Sequence, residues 1–463
     1  MDIEFLGATG TVTGSKYVVH GDGGKLMIDC GLFQGYKQLR LRNWAPLPLD
    51  PRTLDAVILT HAHLDHSGYL PLLVKNGYRG PIYCSQPTFD LCRIMLPDSG
   101  RIQEEDAEHL NRHHQSRHHP ALPLYTEAEA FRALENFQTR PFHEDFEPVK
   151  GLQARLLHAG HLLGSAMVRL HDGRHSLLFT GDLGRPNDLL MKPPEHPGPV
   201  DVLVVESTYG NRRHEAVDPV AQLGAVIRRV AARGGVIVVP AFTVGRTQTL
   251  LHAMAQLRQR GEIPAELPIF LNSPMAVDAT TLYHRHSSEH RLTREECEAM
   301  FKVAHIVNTV DESKSLNERQ GPMLIIAGSG MATGGRVVHH LKAFARDAAN
   351  AIVLTGFQAG GTRGAALQAG AEAIKIHGEY VAVRAEVIAL SNLSAHADYA
   401  ETLDWLKALG APPRRTFITH GEPDAADALR VHIEEALNWS CEVPEYLQRT
   451  TLAALPSPPL AVA

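Results

Sequence analysis

One stretch of the chain reads Thr60-His61-Ala62-His63-Leu64-Asp65-His66-Ser67-Gly68, directly after the apolar run Asp-Ala-Val-Ile-Leu at residues 55–59. Three histidines and one aspartate fall within six residues, and all four side chains are ligand types that zinc accepts. Since the first two histidines can point one way and the aspartate with the third histidine another, the loop suits two adjacent metal ions better than one. The stretch therefore predicts a catalytic metal centre at the end of a short strand.

Further candidate ligands follow other apolar runs. His161 ends the sequence His-Ala-Gly-His, Asp182 follows Leu-Leu-Phe-Thr-Gly, and His420 follows Phe-Ile-Thr. Loops at strand ends collect functional side chains, although Asp182 would equally serve as a turn residue and His420 as a histidine of the core. Taken together, the three side chains supply the ligands that residues 61–66 lack.

The composition is that of a globular protein with more than one core. The chain has 463 residues, of which 44% are hydrophobic and 21% charged, and this length predicts two packed units. The formal net charge of −6 argues against a protein that coats nucleic acid, which is usually basic, but leaves room for a local basic groove. The count of 27 histidines is high and favours metal chemistry.

The cysteines and the hydropathy of the sequence indicate the cellular compartment of the protein. The five cysteines form no Cys-x-x-Cys pair, which is typical of reduced thiols and predicts a cytoplasmic protein. The N-terminus has no basic region followed by an apolar run, and no stretch is long and apolar enough to span a bilayer. We therefore expect no membrane partner.

The pattern of apolar runs changes along the chain. Short strand-like runs separated by Gly-rich turns dominate the first part, for example at residues 16–20 and 25–29. After Glu206, strand, loop and helix alternate, for example with a strand at 236–239 and a helix at 247–259. This alternation is typical of a parallel α/β sheet. We therefore predict an α/β protein that combines a strand-rich domain with a parallel α/β domain.

The same pattern suggests domain boundaries. Short strands and His-bearing loops return from about residue 386. We therefore expect one domain in two pieces, residues 1–207 and 386–463, interrupted by an inserted domain at 208–385. The small, apolar and Pro-rich tail after about residue 452 is expected to be a loose terminus.

The order of the metal-ligand motifs resembles that of the metallo-β-lactamase superfamily. The resemblance implies a four-layer αββα sandwich with the metals at the edge of its two sheets. It implies that Asp182 bridges two zinc ions whose other ligands are His61, His63 and His161 for the first and Asp65, His66 and His420 for the second. Asp29 matches the family's aspartate that steadies the histidine loop through hydrogen bonds; a turn residue at a strand end is the alternative.

Three further motifs resemble those of the β-CASP nucleases, namely Glu206-Ser-Thr-Tyr-Gly, Ser394-Ala-His396-Ala-Asp and Thr-His420-Gly. This group includes the nuclease subunit of eukaryotic pre-mRNA 3′-end cleavage and related bacterial and archaeal ribonucleases. A histidine at the position of His420 is typical of its RNA-processing branch, whereas the DNA-repair branch usually has valine there. The resemblance implies that residues 208–385 are a β-CASP domain inserted into the metallo-β-lactamase domain, and that single-stranded RNA is the substrate.

The expected reaction is the hydrolysis of phosphodiester bonds. Two metal ions about 3.5–4 Å apart activate a bridging hydroxide and stabilise both oxygens of an in-line displacement. Asp182 and Asp65 belong to this catalytic centre, and His396 is the candidate general acid for the leaving oxygen. Glu206 is the candidate that orients the ring of His396, with a surface ion pair as its alternative. Two Zn²⁺ are expected from the imidazole-rich ligation, although Mn²⁺ accepts many of the same groups.

Gly-rich loops supply candidate contacts to substrate phosphates. In the loop at residues 328–336, the backbone at Ser329 and Gly330 can approach a phosphate at a helix N-terminus. Arg246 and Ser394 are further candidates, although a tight turn after a buried strand explains such loops equally well. The arginines that we consider for backbone phosphates are Arg246, Arg336 and Arg363.

Three rival functions explain part of the sequence. A small-molecule hydrolase acting on a thioester or lactone would explain the ligands at 61–66 but not the inserted domain. A DNA nuclease is opposed mainly by His420, and a catalytically silent RNA-binding partner is opposed by the complete ligand set. We therefore predict a zinc-dependent ribonuclease, acting as an endonuclease, a 5′-exonuclease or both, and a homodimer is compatible with the sequence.

Overall fold

The computed structural model describes residues 1–114 and 118–452. The chain forms two compact units, Met1–Arg213 with His396–Ala463 and His214–Ala395. The chain thus leaves the first unit once, and its last part returns to that unit. The tail that the sequence predicts to be loose lies outside the described residues.

Two seven-stranded sheets form the first unit. The strands of sheet A are β1 (Asp2–Phe5), β2 (Tyr17–Gly21), β3 (Gly24–Ile28), β4 (Ala56–Ile58), β5 (Ile82–Cys84), β6 (Phe137–Thr139) and β22 (Arg449–Thr451). The strands of sheet B are β7 (Asp145–Val149), β8 (Leu152–His158), β9 (Ala166–His171), β10 (Ser176–Phe179), β11 (Val202–Glu206), β20 (Arg415–Thr419) and β21 (Cys441–Glu442). Their spatial orders are β22-β1-β2-β3-β4-β5-β6 and β21-β20-β11-β10-β9-β8-β7.

The strands that carry the candidate site are parallel to their neighbours. In sheet A, β3 pairs with β4 in parallel, and in sheet B, β11 lies between β10 and β20 with both pairings parallel. Parallel strands bring their carboxyl ends to one edge of a sheet, where α/β proteins place their binding residues. Asp29 follows β3, Asp182 follows β10, Glu206 ends β11 and His420 follows β20.

Apolar side chains fill the space between sheets A and B. The rings of Phe5 in β1 and Phe417 in β20 are 5.0 Å apart, so the two sheets are in direct contact. In β4, Ala56 and Ile58 belong to this core. Val57 between them is equally buried, which shows that the opposite face of the sheet is covered as well.

Helices cover the outer faces of both sheets. Those of the first unit are α1 (Lys37–Arg42), α2 (Leu64–Ser67), α3 (Leu70–Lys75), α4 (Gln86–Arg112), α5 (Glu127–Leu134), α13 (Tyr399–Lys407) and α14 (Pro423–Leu437). Leu406 of α13 and Leu429 of α14 pack on apolar residues of sheet B, and α4 contacts β6 of sheet A. The αββα sandwich predicted from the ligand motifs is confirmed.

The second unit is a parallel α/β domain. Its strands are β12 (Val236–Pro240), β13 (Ile269–Asn272), β14 (His305–Ile306), β15 (Met323–Ala327), β16 (Ala351–Leu354), the hairpin strands β17 (Ala373–Ile376) and β18 (Glu379–Ala382), and β19 (Glu386–Ala389). The main sheet has the order β14-β13-β15-β12-β16-β19, and its pairings are all parallel. Its helices are α6 (Pro219–Ala232), α7 (Arg246–Gln259), α8 (Pro274–Arg285), α9 (Arg294–Lys302), α10 (Val310–Glu318), α11 (Arg336–Phe344) and α12 (Arg363–Gln368).

A helix that crosses a bilayer must be long and predominantly apolar. Even the 27 residues of α4 include many charged and polar side chains. Within residues 1–114 and 118–452, no helix is both long and apolar enough to cross a membrane.

Candidate metal centre

The ligand loop changes direction at His63. This residue precedes α2, and the N–H of His66 donates to its carbonyl at 2.9 Å. One short helical turn therefore separates the first two histidines of the motif from Asp65 and His66. The two halves of the loop belong to two different groups of ligand atoms.

The first group gathers three imidazoles and a carboxylate. Nδ1 of His63 lies 3.1 Å from Nε2 of His61 and 3.2 Å from Nε2 of His161. Oδ2 of Asp182 lies 3.3 Å from the same atom of His61 and 3.4 Å from that of His161. Three separate segments of the chain thus bring four potential ligands together.

The second group uses the other oxygen of the same aspartate. Nε2 of His66 and Nε2 of His420 are 3.1 Å apart. Oδ1 of Asp182 lies 3.1 Å from Nε2 of His66 and 3.5 Å from Nε2 of His420. Oδ2 of Asp65 completes the group at 3.6 Å from Nε2 of His420. Asp182 therefore faces both groups, one with each oxygen.

These donor atoms fit divalent metal ions. A metal ion bound at 2.0–2.1 Å by four tetrahedral ligands sets them about 3.3 Å apart, and the spacings in both groups lie close to this. Burial lowers the pKa of His63 to about 3 and that of His161 well below its usual range. Both rings are therefore neutral, which is the form that binds a metal.

Charge balance favours cations between the two groups. Burial opposes ionisation of the Asp182 carboxyl, but the neighbouring His420 and His66 hold its pKa well below the usual range. Burial likewise opposes protonation of His66, yet Asp182 and Asp29 raise the pKa of this ring well above its usual range. Ionised carboxylates at a buried site require positive charge nearby. In the metal-free site the proton on His66 supplies it, and bound metal ions would take the place of that proton.

Asp29 supports the ligand loop from behind. Its Oδ1 accepts the backbone N–H of Thr60 at 2.7 Å, and its Oδ2 accepts the Thr60 hydroxyl at 2.9 Å. The same Oδ2 lies 2.7 Å from Nδ1 of His66. Asp29 itself has a left-handed backbone, with φ of 57°. A non-glycine residue in this region costs about 1–3 kcal/mol and is held only where its surroundings require it.

Thr208 makes a corresponding contact that the motif alone does not reveal. Its Oγ1 lies 3.1 Å from Nδ1 of His420, while the hydroxyl of the preceding Ser207 donates to the carbonyl of Thr419 at 2.7 Å. Both residues lie within the Glu-Ser-Thr-Tyr-Gly motif. A hydroxyl in a motif beside a predicted ligand strand is the signal that could have identified them.

His396 lies beside the first ligand group. Its Nδ1 is 2.9 Å from Oε1 of Glu206, and its Nε2 is 4.0 Å from Oδ2 of Asp182. Burial disfavours the charged ring, but the Glu206 carboxylate outweighs it and raises the pKa of His396. The Glu206 carboxylate accepts the N–H groups of Leu183 at 2.9 Å and Thr208 at 3.0 Å, which fixes it in place.

The predicted phosphate contacts all lie in the second unit. Ser329 and Gly330 follow β15, and Arg246 begins α7 after the loop that follows β12. These loops are in contact, because a Cβ on Gly330 would lie 2.6 Å from the ring of Phe242. Carboxyl ends of parallel strands commonly bind ligands. Ser394 is buried after a short 3₁₀ turn, where its N–H donates to the Ser391 carbonyl at 3.0 Å.

Two other arginines considered from the sequence hold loops together. Arg336 donates to Oδ1 of Asn272 at 2.7 Å and to the carbonyl of Asn308 at 2.8 Å. Arg363 donates to the carbonyl of Thr333 at 2.8 Å. Both guanidinium groups thus have acceptors within the protein, and phosphate binding by them stays a prediction. Spacing along the chain gives no information about such internal partners.

Three family models match the sequence in chain order. The Metallo-beta-lactamase superfamily model matches residues 9–222, and the Beta-Casp domain model matches residues 247–367. The model of the Zn-dependent metallo-hydrolase RNA specificity domain matches residues 380–444. The last match includes both His396 and His420.

Individual relatives extend over most of the chain. Ribonuclease TTHA0252 of Thermus thermophilus is 36% identical over 93% of this chain and 95% of its own length. Transcription termination factor FttA of Methanosarcina mazei is 30% identical over 91% of this chain and 67% of its own length. The crystal structure of a protein of unknown function from Enterococcus faecalis V583 superposes with a TM-score of 0.54 at 14% identity, covering 97% of this chain and 99% of that one. The last comparison concerns the fold alone.

Proposed function

The chain belongs to the β-CASP family within the metallo-β-lactamase superfamily, and from this premise we propose that it is a zinc-dependent ribonuclease that hydrolyses phosphodiester bonds. The family and the class of metal-dependent hydrolase predicted from the ligand motifs are confirmed by the matches. Zinc, the bonds cleaved and the role of each residue are our proposal.

The position of Asp182 is the observation that carries the proposal. Its Oδ2 faces His61 and its Oδ1 faces His66, so one carboxylate serves two groups of ligands. Two divalent ions held by these groups would supply Lewis-acid activation of water and would neutralise charge on the phosphodiester. We propose zinc because imidazole nitrogens dominate both groups, with Mn²⁺ as the alternative.

The remaining side chains of the site have two proposed tasks, to transfer a proton and to orient the metal-binding histidines. We propose that Nε2 of His396 donates a proton to the leaving oxygen, as general acids do. The Glu206 carboxylate favours the protonated ring and keeps it oriented through the contact to Nδ1. Asp29 and Thr208 hold His66 and His420 by their other ring nitrogens, which is the support that metal-binding histidines require.

RNA is proposed as the substrate on two grounds. One relative carries the name ribonuclease, and the model matched at residues 380–444 is that of an RNA specificity domain. We propose that the loops with Ser329, Gly330 and Arg246, together with Ser394, bind phosphates of this RNA. Their backbone and side chains lie at the ends of parallel strands, where phosphate groups are commonly bound.

Incubation of the purified protein with end-labelled oligonucleotides tests the proposal. Single-stranded RNA labelled at the 5′ or the 3′ end, and DNA of the same sequence, should be compared with and without chelator. We expect RNA cleavage that the chelator abolishes and added Zn²⁺ restores, and the product ladder distinguishes endonuclease from 5′-exonuclease action. Cleavage of DNA alone, or hydrolysis of thioesters and lactones without RNA cleavage, would contradict the proposal.

A further inference from the structure

Helix α1 and the residues beside it are unusually exposed. The side chains of Tyr36, Leu41 and Trp44 are 50%, 55% and 57% exposed, and α1 has no buried residue. The other two tryptophans, Trp405 and Trp439, are only 4% and 8% exposed. Large aromatic side chains that remain in contact with water commonly mark a binding surface.

The exposed aromatic, cationic and leucine side chains in α1 and beside it lie on one side of the helix axis, whereas the exposed Gln38 lies outside this group. At about 100° per residue, an arc of about 140° contains Tyr36, Arg40, Trp44, Lys37 and Leu41. The less exposed Leu39 lies on the opposite side, and the buried Asn43 lies at the border of this arc, next to Tyr36. Aromatic rings and cations therefore alternate along a single surface, which we call the α1 platform.

The backbone beneath the α1 platform is fixed. The Asn43 amide donates to the carbonyl of Phe33 at 2.8 Å and accepts its N–H at 2.9 Å, which closes the loop around the helix. The N–H of Trp44 donates to the Leu41 carbonyl at 3.1 Å. These side chains are therefore exposed although their backbone is held by hydrogen bonds. Their positions are preorganised for a ligand, which lowers the entropic cost of binding.

The α1 platform is attached to the ligand loop. The N–H of Leu32 donates to the Leu64 carbonyl at 2.8 Å, and a Cβ on Gly31 would lie 1.6 Å from the carbonyl oxygen of Asp65. Tyr36 lies four positions after Leu32, a reach of at most about 14 Å. The α1 platform therefore begins within about 14 Å of a residue that is hydrogen-bonded to the ligand loop.

The charge of the α1 platform is opposite to that of the whole chain. Residues 30–49 contain three cations and no carboxylate, in a protein whose net charge is −6. Arg42 lies over the ring of Tyr446 at 4.1 Å. In the part of the chain that the structure describes, the side chains of Lys37 and Arg40 form neither an ion pair nor a hydrogen bond. They are therefore available to a polyanion.

We infer that the α1 platform binds single-stranded RNA beside the metal centre, an inference that rests on the proposed function for the identity of the substrate. Tyr36 and Trp44 stack on bases, while Lys37 and Arg40 bind phosphates, which is the combination that proteins use for single strands. The face extends about 12 Å, or about three nucleotides at 3.4 Å each. Because no base edge is read, binding is expected to depend little on sequence.

Tryptophan fluorescence gives a direct test. Iodide should quench Trp44, the exposed tryptophan, and barely affect Trp405 and Trp439. Addition of a single-stranded 12-mer RNA in a stopped-flow instrument, recorded before turnover, should protect the emission from iodide. The Trp44→Phe variant should lose the quenched component but keep its affinity for RNA, since a ring remains.

Affinity measurements with matched variants complete the test. Trp44→Ala should weaken RNA binding at least five-fold, the low end of base–aromatic stacking. Arg40→Glu should weaken binding and reduce the slope of log K against log salt by about 0.7 or more. Arg174→Glu makes the same charge change at an exposed residue on the β9–β10 hairpin and should leave both quantities unchanged.

The outcomes separate this inference from the proposed function. Hydrolysis of bis(p-nitrophenyl) phosphate, which is too small to reach the α1 platform, should be equal in wild type, Trp44→Ala and Arg40→Glu. RNA binding through the platform without cleavage would preserve this inference and contradict the proposed function. Wild-type RNA affinity in both variants would overturn the inference, as would loss of a dimer in sedimentation by Trp44→Ala with unchanged RNA binding, which would assign the face to a second copy of the chain.

Discussion

Nδ1 of His396 lies 2.9 Å from Oε1 of Glu206, and the same carboxylate accepts the backbone N–H groups of Leu183 and Thr208. Leu183 directly follows Asp182, and Thr208 contacts the ring of His420. Glu206 therefore connects the proposed general acid to two of the segments that carry metal ligands.

Removal of the His396 imidazole should slow the chemical step and leave the metal in place. We expect His396→Ala to lower kcat by about 10²- to 10⁴-fold, the usual contribution of a general acid. Single-turnover cleavage with saturating RNA measures the effect, and elemental analysis of the same sample should give the wild-type metal content. Wild-type cleavage by this variant would show that another group protonates the leaving oxygen.

Neutralising the Glu206 carboxylate should change the pH dependence of cleavage. Burial disfavours the protonated His396 ring, and the Glu206 carboxylate outweighs it and raises its pKa, so the acid form persists to higher pH in the wild type. In Glu206→Gln this pKa falls, and the basic limb of the kcat–pH profile should move to lower pH. An unchanged limb together with reduced kcat would mean that Glu206 acts only on the backbone.

Loss of the Asp29 side chain, which holds the ligand loop through hydrogen bonds, should weaken metal binding. Asp29→Ala removes the acceptor of Thr60 and of Nδ1 of His66. We expect metal affinity to fall about 10- to 100-fold, as for other supporting carboxylates, in a competition with a chromophoric chelator. Asp172→Ala, which removes an aspartate from the β9–β10 hairpin, is the control and should retain wild-type affinity.

Lys16 should make stability depend on pH in the alkaline range. Burial lowers its pKa from 10.5 to about 8, and its ammonium group lies 4.6 Å and 4.7 Å from the ring centroids of Phe33 and Tyr69. Below pH 8 both the folded and the unfolded chain carry this charge. Between pH 8 and 10.5 the folded chain releases the proton first, so the cost of the buried charge declines as pH rises.

The comparison with Lys16→Met isolates this contribution. The free energy of unfolding of the wild type, relative to that of the variant, should increase with pH by up to about 1.4 kcal/mol per pH unit in this window. Denaturant unfolding of both proteins between pH 7 and 10 measures the difference. A constant difference would show that Lys16 keeps an ordinary pKa in the folded protein, and a decreasing difference would show that its pKa is raised; either result would contradict the prediction.

The resemblance of the ligand motifs to a known family predicted the fold class, and the ligand assignments stay predictions that the spacing of the donor atoms supports. The β4 strand and the turn at His63 follow from an apolar run that ends in closely spaced polar residues. The carboxyl ends of parallel strands then bring Asp182 and His420 to the same edge. The contacts of Glu206 with His396 follow from the family's motifs rather than from any period in the sequence.

Other features depend on partners that are distant in the sequence. The 27-residue helix α4 was not predicted over its length, since it contains Pro97 and its last turns are polar. The internal acceptors of Arg336 and the contact of Thr208 with His420 likewise arise only when the chain folds. Asp29 and Glu206 were predicted because they lie in family motifs, whereas the partners of Arg336 lie outside any motif.

The metal content of active protein tests the central claim, that Asp182 joins two metal sites. Purified protein should be freed of loosely bound ions and examined by elemental analysis alongside Asp182→Asn, with circular dichroism to confirm folding. We predict two equivalents of divalent metal in the wild type, loss of metal from both sites in the folded variant, and loss of RNA cleavage with them. Full RNA cleavage by metal-free wild-type protein would contradict the claim.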